Sequence, residues 1–112
     1  MQKEKTIKEQ LKGIVEDVYS DLQKALKEGT FYEWLDEQLD LRFEIDIDME
    51  LEGYFILISG GGPTVELFSH RNYTAIIGRW ENEEYKIALS IDEDNEIYDF
   101  LNDIYEAKKV KA

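Results

Sequence analysis

Apolar residues recur at three- and four-residue spacing near the start of the chain: Ile7, Leu11, Ile14, Val15, Val18, Leu22, Ala25 and Leu26. At about 3.6 residues per turn they fall on one stripe, so the spacing predicts an amphipathic helix over 3–28. Gly29 follows where a left-handed C-cap belongs. Thr30-Phe31-Tyr32-Glu33 has the form of a capping box and predicts a shorter helix to about Leu39, with Phe31, Trp34, Leu35 and Leu39 buried.

The period then changes to 2. Leu41, Phe43, Ile45, Ile47, Met49 and Leu51 alternate with Arg42, Glu44, Asp46, Asp48, Glu50 and Glu52. Such alternation predicts a half-buried strand, bent or broken near Asp48, with Phe43, Ile45 and Ile47 inward and the acids on one exposed face. Gly53 punctuates it. Tyr54–Ser59 is an apolar run expected of a central strand covered on both faces. Gly60-Gly61-Gly62-Pro63 makes a turn into a strand over Thr64–Ser69. His70-Arg71-Asn72 connects tightly to Tyr73–Trp80, and Glu81-Asn82-Glu83 turns into Tyr85–Leu89. Connections this short imply an antiparallel meander over 41–90.

Asp92 is the expected N-cap of a closing helix over 92–109, with Ile97, Phe100, Leu101, Ile104 and Tyr105 inward. Acids in its first turn and Lys108, Lys109 and Lys111 at its end suit the helix dipole. The expected fold is α+β: two N-terminal helices (3–39), an antiparallel sheet of four or five strands, and a C-terminal helix, with the helices on one face of the sheet. At 112 residues the chain is one domain.

Charge changes the picture most. There are 26 acids against 13 bases, a formal net charge of −13. A field of that sign repels nucleic acid and anionic lipid and attracts basic surfaces. The absence of cysteine removes disulfides, thiolate metal sites and cysteine nucleophiles. No apolar stretch approaches the roughly 18 residues that span a bilayer, and residues 1–5 do not open a secretory signal. The expected location is the cytoplasm of a bacterial host cell.

The chemistry of an enzyme is mostly missing. His70 is the single histidine, and its neighbour Ser69 points to the other face of a strand, so the two make no catalytic pair. The acids from Asp92 to Glu96 lack the glycine and the twelfth-position acid of a calcium loop. The three glycines lack the lysine and hydroxyl of a phosphate-binding loop. Each acid that the pattern places falls on a solvated face, so no catalytic residue, cofactor or metal is expected.

What remains is a row of carboxylates. Glu44, Asp46, Asp48 and Glu50 would stand about 6.7 Å apart on one strand face. Asp92, Glu93, Asp94, Glu96, Asp99 and Asp103 could extend the patch. Such spacing resembles a nucleic-acid backbone, with a phosphate per about 3.4 Å of axis on each strand. The expected partner is a protein with a basic surface, with no direct nucleic acid and no membrane.

Leu39-Asp40-Leu41-Arg42-Phe43 entering a strand, and Ile56 to Leu67 with its Gly-Gly-Pro turn, resemble small acidic proteins of phages, plasmids and conjugative elements of Gram-positive bacteria. The match covers about residues 30 to 105, with the family's tryptophan-rich strand reduced to Trp80. Anti-CRISPR and anti-restriction proteins of similar size and charge occur on the same elements. The resemblance implies a non-catalytic inhibitor of a host defence nuclease, a CRISPR effector or restriction enzyme, whose basic nucleic-acid-binding surface meets the acidic face. The alternative is a protein–protein adaptor, or a regulator of the defence system's expression, working through the N-terminal helix or the Gly-rich edge. Monomer and homodimer both remain open, because the long helix could cover its own sheet or a second copy.

Overall fold

A computed structural model of the chain describes residues 6–71 and 73–110. The order is α1 (Ile7–Glu28), α2 (Phe31–Asp36), β1 (Asp40–Ile45), β2 (Leu51–Ser59), β3 (Thr64–His70), β4 (Tyr73–Trp80), β5 (Glu83–Ala88) and α3 (Ile91–Val110). The five strands form one sheet in chain order, each antiparallel to the next. This is the expected α+β meander, with α1 and α3 packed on the same face.

The stripe of α1 is buried at Leu11, Val15, Leu22, Ala25 and Leu26, against the chain's own sheet. Thr6 caps the helix by accepting from the Glu9 N–H, and Gly29 closes it at φ 74°. Residues 3–5 and Lys111, which sequence assigned to helices or their ends, lie outside the described residues. Beneath α1, Gly78 of β4 leaves space that a side chain would fill. A Cβ there would stand 2.4 Å from Val15 Cγ2 and 2.9 Å from Leu11 Cδ1.

The core joins these residues to Phe31 and Trp34 of α2, to Leu51, Tyr54, Ile56, Val65, Leu67 and Ile76 of the sheet, and to Ile97, Leu101 and Tyr105 of α3. Stacking of Phe31 on Phe100 at 5.0 Å links α2 to α3.

Several sequence expectations are corrected. The alternation from Leu41 to Leu51 is two strands, not one. β1 ends at Ile45, and residues 46–50 form the turn of a β1–β2 hairpin. Asp46 accepts the Asp48 and Glu50 N–H groups at 2.9 and 3.0 Å, so a side chain replaces the ladder there. Ile45 is consequently 41% exposed and Ile47 97%, so neither is a core residue. Tyr54–Ser59 is covered on one face alone, since Phe55 and Leu57 are half-exposed on the face away from the helices. Leu39 lies beyond α2 and is exposed. Thr30 makes no side-chain cap bond. The N-cap of α3 is Ser90, not Asp92. Ser90 Oγ accepts the Glu93 N–H at 3.1 Å and Glu93 Oε1 accepts the Ser90 N–H at 2.9 Å, a reciprocal capping box.

Candidate functional site

The expected row of Glu44, Asp46, Asp48 and Glu50 on one strand face does not form, because the strand stops between the first two. Glu44 stays on β1 and pairs with His70 Nδ1 at 2.9 Å. Asp46 bonds its own turn, while Asp48 and Glu50 project from that turn into solvent.

The straight row lies on α3 instead. Asp92, Glu96, Asp99, Asp103 and Glu106 recur at four- and three-residue steps, which puts them on one face of the helix. The first four are exposed and Glu106 is half-buried. At about 1.5 Å of rise per residue, successive carboxylates are spaced roughly 4.5–6 Å along the axis. Glu93 and Asp94, expected in the same patch, face inward. Glu93 accepts from Tyr19 Oη and Gln23 Nε2 as well as from the Ser90 N–H. Its burial raises the pKa, but these donors more than offset that and hold the carboxyl below its usual value.

Asp94 anchors a polar network inside the helix–sheet interface. Its Oδ1 accepts from Tyr54 Oη at 2.9 Å and stands 2.5 Å from Thr74 Oγ1 and 3.3 Å from Ser69 Oγ. Burial, and then the nearby Asp94 charge, push the Tyr54 hydroxyl well above its usual pKa. Since Ser69 and Thr74 also bond each other at 2.7 Å, every hydroxyl in the cluster has a partner.

The far end of α3 is fastened to the β1–β2 turn. Tyr105 Oη donates to the Met49 carbonyl at 2.6 Å, Lys109 Nζ reaches the same oxygen at 3.1 Å, and Tyr98 Oη donates to the Leu51 carbonyl at 2.8 Å. Met49 sits in the left-handed region at φ 65°, the conformation that presents its carbonyl to the helix. Two sets of acids therefore converge. The Tyr98 hydroxyl is raised by its burial and then by the charges of Glu50, Asp99, Glu106 and Asp46. Turn and helix form one acid-rich surface around it, with Lys109 paired to Glu106 at 3.9 Å.

The opposite sheet face differs in character. Phe55, Leu57 and Phe68 lie there half-buried among the pairs Arg42–Asp40, Arg79–Glu66 and Lys86–Glu84. Charges of both signs alternate across it, so the excess negative charge belongs to the helix side and the turn. The glycines of the β2–β3 turn have open space around each Cα, and only Gly61 has a positive φ, 95°. They serve the turn.

Asp92, Glu96, Asp99 and Asp103 of the α3 stripe were expected in the patch from sequence, whereas the inward engagement of Glu93 and Asp94 was not. The Ser90-Ile91-Asp92-Glu93 box carries the standard capping signature two positions before the expected Asp92. The meeting of turn and helix carried no local signal, because it depends on how α3 crosses the sheet. Among the described residues no helix is long and apolar enough to cross a membrane. No family model, curated protein or solved structure matches the chain.

Proposed function

We propose that this chain is a non-catalytic inhibitor that places the anionic surface of α3 and the β1–β2 turn in the nucleic-acid channel of a host defence nuclease, a CRISPR effector or a restriction enzyme. The observation that carries the reading is that Tyr98 and Tyr105 of α3 bond the Leu51 and Met49 carbonyls, which sets the exposed Asp48 and Glu50 of the turn beside the helix that bears the exposed Asp92, Glu96, Asp99 and Asp103. Glu106 is already paired with Lys109 at 3.9 Å, so it is the exposed acids of turn and helix whose mutual repulsion a basic partner would relieve. The turn is fixed by hydrogen bonds to α3, so little ordering is needed on binding.

A direct test is competition for DNA. A guide-loaded CRISPR effector and a purified restriction endonuclease are each incubated with labelled duplex and increasing protein. Displacement of DNA from one of them, with loss of cleavage, is the expected result. Unimpaired DNA binding by both would remove the channel-blocking mechanism.

The adaptor reading shifts its surface. The apolar stripe of α1 is spent on the chain's own sheet. The half-exposed Phe55, Leu57 and Phe68 on the uncovered sheet face favour that face as the adaptor's contact, in place of the N-terminal helix or the Gly-rich edge.

A further inference from the structure

Glu44, Glu52 and His70 come from three different strands and meet at one end of the uncovered sheet face, with donor atoms all within 4.8 Å of one another. The backbone explains the meeting. Glu44, Gly53 and His70 occupy one register row across β1, β2 and β3. The ladder then slips, with Glu44 opposite Gly53 but Ile45 opposite Leu51, which makes Glu52 the extra residue of a β-bulge. Leu51 and Tyr54 are both buried in the core with two residues between them, so Glu52 turns to the same side as Gly53. Gly53 keeps the middle of the row low. A Cβ there would stand 2.4 Å from the Ser69 carbonyl oxygen and 3.5 Å from Glu44 Oε2.

We propose that Glu44, Glu52 and His70 form a binding site for a divalent transition-metal ion of the zinc or cobalt kind. One imidazole nitrogen with two carboxylates suits such ions better than magnesium or calcium, which prefer oxygen ligands throughout. Three protein ligands leave a further position to water. Ligand bonds of about 2.0–2.2 Å require neighbouring donors to stand roughly 3 Å apart. Glu44 Oε2 and His70 Nδ1 already do, at 2.9 Å. Glu52 is held by Arg71 Nε at 3.1 Å, and the Arg71 side chain, 76% exposed, can turn into solvent as the ion enters. The chain's net negative charge raises the local concentration of any cation. Metal binding here is independent of whether the acidic helix stripe docks on a nuclease.

The experiment is calorimetric titration of tag-free protein with zinc chloride, and with cobalt chloride followed by visible absorption. One ion per chain is expected, with a cobalt ligand-field band. His70→Ala should remove the band and weaken zinc by at least about 10-fold, and Glu52→Gln should weaken it similarly, both with unchanged far-ultraviolet circular dichroism. Arg71→Gln, which frees Glu52, should tighten binding several-fold. Asp99→Asn with Asp103→Asn, on the exposed face of α3 and outside the ligand set, should leave it level. No stoichiometric binding by the parent protein overturns the site, as does binding that survives both His70→Ala and Glu52→Gln, since the ions would then be held diffusely by the acidic surface.

Discussion

Gly78 shows how a single missing side chain sets the distance between two layers. Leu11 and Val15 of α1 occupy the space above it, and a methyl group at that position would overlap both. Overpacking of a filled core costs about 1–3 kcal/mol, so Gly78→Ala should lower stability by that amount, read from the denaturation midpoint at unchanged m-value. Ile45 and Ile56 make the complementary case. Both sit at apolar positions in strand-like sequence, yet Ile56 is fully buried and Ile45 is 41% exposed. Ile56→Ala should therefore cost about 2–5 kcal/mol and Ile45→Ala a small fraction of that. Alternation identified which residues could face inward. It could not tell which end of the strand ran past the helices, because that depends on where α3 crosses.

At the scale of elements, the period-2 pattern was followed correctly into β1 and then one step too far. A five-residue hairpin turn preserves the alternation of apolar and acidic residues while leaving both kinds exposed. Asp46 was the physical clue, since an aspartate can accept the backbone N–H groups two and four residues on, as it does here. The same chemistry starts α3. Loss of the Ser90 hydroxyl removes one half of the capping box, so Ser90→Ala should cost about 0.5–2 kcal/mol by thermal or chemical unfolding. Glu93 carries a pH dependence of known sign. Its carboxyl is lowered by bonds that exist only in the folded state, so on acidification the unfolded chain takes up the proton first. Its contribution is complete above the ordinary glutamate pKa and is lost as pH falls through the folded value. Glu93→Gln should start from lower stability at pH 7 and lose less than the parent between about pH 5 and pH 3 in a stability-against-pH series.

For the whole molecule, element order, strand sequence and the choice of face for the helices were all legible in the sequence. Each depends on local periodicity and on connections too short for any other path. The anionic surface was legible only in part. Asp92, Glu96, Asp99 and Asp103 are where the helix pattern put them, exposed on one stripe. Glu44, Glu93 and Asp94 are engaged with His70, with Tyr19 and Ser90, and with Tyr54. A count of acids cannot separate those that complete the fold from those left for a partner. Only tertiary contacts make that division, and they leave Asp48, Glu50, Asp99 and Asp103 as exposed acids of the turn and helix. The most direct measurement is inhibition of the susceptible nuclease by the parent and by the variant Asp48→Asn, Glu50→Gln, Asp99→Asn, Asp103→Asn, each at low and high salt. If this surface occupies a basic channel, the variant should fold with equal or greater stability and inhibit at least about 10-fold less well at low salt, mainly through slower association, with the deficit shrinking at high salt. Equal inhibition by the folded variant at both salt concentrations would contradict the account.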